Sequence, residues 1–238
     1  MNPDTDNIQV VVRVRPLSLK EHEEDAPNFV IIDEAKPNTI NVNMKPKQKP
    51  FIYDCVLDHY TSQERVFDLI GKPMADTCFQ GYNSSIFAYG QTGAGKTYTV
   101  QGRTINNPNE DGSERGLQPR VFEYIFAMRQ KAIEANTQTN YEVSCTYCEI
   151  YNEEIMDLLN PTRNNLSIRE DVHRGVYVEG LKEVNVKGPK EAYELLRKGA
   201  HARHTGATEM NTESSRSHSL FTIIIHRMVR YFVFYYPN

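Results

Sequence analysis

Short β-branched runs dominate the first quarter of the chain, and apolar residues at helical spacing take over after residue 61. Gln9–Val14 is one such run, closed by Arg15-Pro16, where proline stops ladder pairing. Phe29–Ile32 and Thr39–Val42 read as two short strands around the turn Lys36-Pro37-Asn38, and Phe51–Val56 as a further strand. The acidic cluster Glu21–Asp25 reads as a solvated loop. Lys45, Lys47 and Lys49 alternate with Pro46, Gln48 and Pro50, a composition expected of an exposed turn. From Ser62 the period changes. Val66, Phe67, Leu69, Ile70, Met74 and Cys78 form a broad apolar stripe, which predicts a helix over Ser62–Cys78 capped by Ser62 and kinked or broken by Pro73.

Ile86–Tyr89 is a short apolar run and predicts another strand, followed by a polar loop over Arg103–Gly116. Pro119 stands near the start of a predicted helix, Arg120–Glu134, with Val121, Phe122, Ile125, Phe126 and Ile133 inward. Tyr141–Tyr151 reads as a strand, and Glu154–Leu159 as a short helix stopped by Asn160-Pro161. Leu166–Arg169 and Val176–Val178 are strand candidates around His173-Arg174-Gly175. Lys190–His201 is amphipathic, with Ala192, Leu195, Leu196 and Ala200 on one side, and Leu220–Ile225 is a β-branched strand. No repeat or dividing linker is visible. Strands alternating with helices predict an α/β protein with a largely buried sheet.

The 238 residues are enough for one large or two small domains with a substantial core, and 39% hydrophobic with 24% charged residues is an ordinary soluble composition. A net charge of −4 argues against non-specific nucleic-acid binding. No run reaches the roughly 18 apolar residues of a membrane span, and the polar, acidic start carries no secretory pattern, so a cytoplasmic protein is expected. Cys145 and Cys148 form a C-x-x-C on a predicted strand, where their side chains point to opposite faces. Neither Cys55 nor Cys78 supplies a second ligand pair, so buried reduced thiols are expected rather than zinc.

Gly90-Gln91-Thr92-Gly93-Ala94-Gly95-Lys96-Thr97 matches the phosphate-loop pattern G-x-x-x-x-G-K-[ST], after an apolar run and before a possible helix. Glycines let backbone N–H groups turn inward around a triphosphate. Lys96 would meet its β- and γ-phosphates, and the Thr97 hydroxyl would sit on Mg²⁺. The bland alternative, a glycine-rich turn with a chance Lys-Thr, does not account for the apolar run before it. A second polar signature, Asn211-Thr-Glu-Ser-Ser-Arg-Ser-His218, precedes the last strand. Alone it could be a serine-rich loop or a phosphorylation site. Beside a phosphate loop it reads as a switch organised by a γ-phosphate and its Mg²⁺.

With Arg13-Val14-Arg15-Pro16, Phe87 through Thr97, Tyr151-Asn152-Glu153-Glu154 with Asp157-Leu158-Leu159, and Asn211 through His218, the chain resembles the kinesin motor domain of the N-terminal-motor type, from about Ile8 to about His226. The resemblance implies an α/β, P-loop NTPase-like three-layer fold with a central mixed sheet flanked by helices. It implies ATP and Mg²⁺ as ligands and the microtubule as partner, with no nucleic acid and no membrane, and a microtubule-associated, cytoskeletal location. Arg13, Pro16 and Tyr98 would form the adenine-side pocket, with Arg15 also a nucleotide-binding residue. Thr92 through Thr97 would hold the phosphates, with Gly90 and Gln91 also nucleotide-binding residues. Ser215 would join Thr97 on Mg²⁺, Asn211 and Ser214 would orient the γ-phosphate and the attacking water, and Arg216 would pair with an acid of a second switch.

Residues 1–7 are then an N-terminal extension, 8–226 a partial motor domain and 227–238 a tail matching no part of the family pattern. The second switch, the main microtubule-facing helix and the neck linker are not found; Asp68-Leu-Ile-Gly71 spells D-x-x-G only by chance inside a predicted helix. The fold is therefore expected to be C-terminally incomplete, through an incomplete gene model or retained intron rather than a purposeful short isoform. The phosphate-loop strand would lack its neighbours, Val229–Tyr235 patching one side at best. The leading function is the ATP-binding part of a microtubule motor, with a doubtful turnover of its own. A non-catalytic nucleotide-binding or microtubule-docking fragment is the alternative. A GTPase is disfavoured because no N-K-x-D or T-K-x-D occurs.

Overall fold

The computed structural model describes residues 8–33, 35–44, 47–103, 112–135, 139–172, 175–210 and 217–229. Strand β1 (Val11–Arg13) is followed not by an acidic loop but by helix α1 (Leu19–Glu23). The expectation for Glu21–Asp25 fails because Ser18 and Glu21 form a capping box. Ser18 Oγ accepts from Glu21 N–H at 3.2 Å, and the Glu21 carboxylate accepts from Ser18 N–H at 2.6 Å. Strands β2 (Val30–Ile32), β3 (Thr39–Met44) and β4 (Lys47–Ile52) make a small antiparallel sheet. The lysine-rich stretch from Lys47 is thus strand rather than turn. Among the described residues β4 bonds to β3 alone, and an edge position tolerates both Pro50 and alternating charge. Nor is Phe51–Val56 one strand. The chain leaves β4 after Ile52, Asp54 turns to accept from Val10 N–H at 2.7 Å, and β5 (Cys55–Leu57) pairs in parallel with β1.

Helix α2 (Gln63–Val66) starts at the Ser62 cap, passes through a π turn (Phe67–Gly71) and continues as α3 (Lys72–Phe79). Pro73 therefore does not break the run. The π turn lies where its ring would otherwise crowd the carbonyl of Leu69, and it absorbs the D-x-x-G segment as structure. Residues 82–90 carry no ladder pairing among the described residues, so the expected strand Ile86–Tyr89 is not formed; Phe87 is 85% and Tyr89 100% exposed. Helix α4 (Lys96–Val100), a 3₁₀ turn (Gly112–Glu114) and helix α5 (Leu117–Ala135) follow.

Strand β6 (Thr139–Tyr151) then turns directly into β7 (Glu154–Asp157), where a short helix was expected. Asn152 and Glu153 lie at φ 49° and 65°, the left-handed pair of a two-residue hairpin turn, which carries the chain back antiparallel. Strands β8 (Ile168–Asp171) and β9 (Gly175–Val178) form an exposed hairpin, and β10 (Val184–Val186) adds to one edge of β6. Helix α6 (Pro189–Met210) leads toward β11 (His218–Val229) on the other side of β6. The β6–β11 register runs unbroken from Ile150↔His218 to Thr139↔Val229, so this strand continues past His226. The remaining tail, 230–238, lies outside the described residues.

Val143, Cys145 and Tyr147 on one face of β6 pack with Phe221, Ile223 and Ile225 of β11 beneath Phe122 and Ile125 of α5 and Ala192 and Leu196 of α6. Full burial of each large apolar side chain is worth about 1.5–3 kcal/mol. Gly199 sets how close α6 comes, since a Cβ there would lie 2.1 Å from Tyr147 Cδ1. A second cluster, Leu57, Val66 and Leu117, fastens β5 to α2 and α5. Cys145 and Cys148 are buried and unpaired by disulfide. Burial, helped by Glu183 and Asp157 respectively, pushes their thiols up to about 12 and about 11.

Candidate nucleotide-binding site

Gly93 (φ 81°) and Gly95 (φ 93°) hold conformations that an L side chain rarely adopts, and together they turn the chain into α4, of which Gly95 is the N-cap. Ala94 N–H closes the turn on the Gln91 carbonyl at 3.1 Å. Lys96 Nζ lies back along the loop and donates to the carbonyls of Gly90 at 2.6 Å and Gln91 at 3.0 Å. Thr92 and Thr97 are exposed beside it. The loop's one cation thus lies along the loop's own backbone.

Arg15 reaches this loop from the end of β1: Nε donates to the Gly93 carbonyl at 2.8 Å, while Nη1 and Nη2 each meet Glu21 at 2.8 Å. Nη1 also donates to the Pro16 carbonyl. Hydrogen bonding to Arg15 holds the Glu21 carboxyl well below the usual range. Arg13 is turned inward. Its Nη1 donates to Gln63 at 2.9 Å and Thr99 at 3.0 Å, its Nη2 to the Thr61 carbonyl at 3.2 Å, and its Cζ stands 5.1 Å from the Tyr98 ring centre. Arg103 is 5.7 Å from the same ring. The Tyr98 hydroxyl donates to Glu114 at 3.0 Å, and burial above all pushes its phenol upward. Buried Gln63 completes this corner by donating to the Tyr98 carbonyl at 2.6 Å.

The structure thus brings Arg13 to Tyr98 and Arg15 to Gly93. Asn211, Ser214, Ser215 and Arg216 lie outside the described residues. Next to them, Ser217 Oγ donates to Glu149, and Arg203 donates to Glu149 through Nε at 2.7 Å and to the Ser217 carbonyl through Nη2 at 3.0 Å. Sequence reasoning missed Glu21, Gln63, Glu114, Glu149 and Arg203. Only Glu21 had a local signal, the Ser18-x-x-Glu21 capping pattern.

A turned glycine loop on an α/β framework defines a P-loop NTPase-like protein. The kinesin motor domain model matches residues 13–231. Kinesin-like protein KIN-12B of Arabidopsis thaliana is 44% identical over 222 residues, covering 92% of this chain and 16% of that protein. Kinesin-like protein KIF15 of Strongylocentrotus purpuratus is 43% identical over 221 residues, covering 92% and 15%. A solved structure of a fast kinesin superposes with a TM-score of 0.84 at 43% identity, covering 92% of this chain and 60% of that one. The chain belongs to the kinesin motor domain family, and it spans 16% of the length of the first of these relatives.

Proposed function

We propose that this chain carries the ATP-binding part of a kinesin-type microtubule motor, in which ATP hydrolysis drives movement along microtubules. The observation that carries this reading is the loop turned by Gly93 and Gly95 into α4, with Lys96 laid along it. Such a loop offers backbone N–H groups and one cation to a polyphosphate. Lys96 exchanges the Gly90 and Gln91 carbonyls for β- and γ-phosphate oxygens, a larger and charged set of acceptors. Thr92 through Thr97 would hold the phosphates, with Gly90 and Gln91 beside them. Arg13, Pro16 and Tyr98 stand on the adenine side, where the cation-backed Tyr98 ring suits a stacked base.

Mg²⁺ suits the hydroxyl oxygens assigned to it, Thr97, exposed at the start of α4, and Ser215. When bound it neutralises charge on the phosphate oxygens. Asn211 and Ser214 orient the γ-phosphate and water, and Arg216 is the residue that would pair with an acid of the second switch, roles that rest on family resemblance. Positioning of this kind is most of the catalysis in phosphoryl transfer. Microtubule association, and with it a cytoplasmic, cytoskeletal location, follows from the same reading; no helix among the described residues is long and apolar enough to cross a membrane.

Single-turnover phosphate release from ATP–Mg²⁺, with and without microtubules, tests the proposal. Release that needs Asn211 and rises with microtubules supports a motor ATPase. Tight binding without release supports the nucleotide-docking alternative, and absence of ATP binding overturns both.

A further inference from the structure

We infer that Glu21, acting through Arg15, is a positioning residue of the phosphate loop. The inference rests on the nucleotide reading above and adds to it a residue whose acidic surroundings suggest only a solvated surface. The Arg15 guanidinium is held on three sides. Glu21 takes its two terminal nitrogens, Pro16 takes Nη1 a second time, and Nε is left aimed at the Gly93 carbonyl at 2.8 Å. A planar fork fixed at one edge fixes the direction of the donor on the other.

The peptide unit it meets is the keystone of the loop. The Gly93 carbonyl accepts from Arg15, and the N–H of the same unit, on Ala94, donates to the Gln91 carbonyl. That Gln91 carbonyl is also one of the two that receive Lys96 Nζ. One chain of contacts therefore runs from Glu21 through Arg15 and the Gly93–Ala94 peptide to the phosphate-binding lysine. Glu21 is itself fixed, because its carboxylate closes the capping box on Ser18 N–H at 2.6 Å. The side chains of Arg15 and Glu21 are 38% and 32% exposed, so their ion pair adds little to global stability. Its effect falls on the orientation of one peptide in a loop whose glycines give it no steric preference of its own.

The test compares Glu21→Gln and Arg15→Lys with the whole wild-type chain. Three readouts apply: hydrogen exchange of the unliganded 90–97 segment, affinity for a fluorescent ATP analogue with Mg²⁺, and the unliganded melting temperature. Both variants are expected to speed exchange in 90–97 and to weaken binding about three- to tenfold, with the melting temperature nearly unchanged. Glu24→Gln, at the C-cap of the same helix and paired, among the described residues, only with Lys20 at 3.7 Å, is expected to change none of these. The exchanged pair Arg15→Glu with Glu21→Arg restores the ion pair but not the donor to Gly93, so it is expected not to recover loop protection. Unchanged exchange in both single variants, or full recovery in the exchanged pair, overturns the inference. A wild type that binds no nucleotide while Glu21→Gln still loosens 90–97 overturns the nucleotide reading and leaves the positioning role standing.

Discussion

Arg203 of α6 donates through Nε to Glu149 of β6 at 2.7 Å, with side-chain exposures of only 20% and 9%. The same guanidinium holds Ser217 just before β11, so these contacts tie three elements together across 68 residues of sequence. Replacing Arg203 by methionine leaves the Glu149 carboxylate buried with, among the described residues, only the Ser217 hydroxyl. The expected cost is about 3 kcal/mol, near the lower end for breaking a buried pair because some solvent reaches the arginine. Chemical denaturation of Arg203→Met against wild type measures it; a loss below about 1 kcal/mol, the range of exposed pairs, contradicts the structural role.

Gly199 offers a sharper steric test. Alanine there places Cβ 2.1 Å from the ring of buried Tyr147, which is walled in by Phe221 and cannot swing away freely. Gly199→Ala is expected to lose about 1–3 kcal/mol despite alanine's better helix propensity, read as a lower thermal midpoint. Gly188, beside whose Cβ position there is open space, is the control.

The buried thiols give stability a pH dependence. A free cysteine ionises near 9.0, whereas Cys145 and Cys148 in the folded chain hold their protons up to about 12 and about 11. Below pH 9 both states are protonated and the contribution of burial is complete. Above it the unfolded chain loses protons first, so stability falls as pH rises toward 11–12. Denaturation midpoints at pH 8 and pH 10 are expected to show this decline, reduced in Cys145→Ala with Cys148→Ala. A thiol reagent at pH 8 should modify the half-buried Cys55 and Cys78 first.

Base choice follows from the corner around Tyr98. Arg13 and Arg103 back the ring, and the nearby carboxylate of Glu114 is occupied by the Tyr98 hydroxyl rather than presented to a guanine. ATP should be preferred over GTP by a modest factor in competition binding. A clear GTP preference would count against the adenine-side assignment.

The glycine loop turning into α4 was legible because its pattern is local, with glycine, lysine and threonine at fixed spacing. Strand β6 and helix α5 were legible because their apolar periods run long. What escaped was decided by contacts that composition does not display. Glu21–Asp25 became helix through one side chain bonding back to Ser18, and β7 replaced a predicted helix because Asn152 and Glu153 accept left-handed backbone. The lysines of β4 disguised an edge strand as a turn. Ile86–Tyr89 has strand composition, yet no described neighbour pairs with it, since pairing depends on the partner as much as on the run itself. Gln63 reaches Tyr98 across 35 residues, and Glu149 reaches Arg203 and Ser217 across 54 and 68, beyond any local pattern.

On the proposed reading, this loop binds a nucleoside triphosphate through Lys96. Equilibrium titration of wild type and Lys96→Ala with a fluorescent ATP analogue and Mg²⁺ tests it most directly. A charge-assisted contact is worth about 1.5–3 kcal/mol, so the variant should bind roughly ten- to a hundredfold more weakly. Wild-type binding should also fall when Mg²⁺ is chelated. Equal affinity of the two proteins, or wild-type binding indifferent to Lys96 and Mg²⁺ alike, would contradict the account.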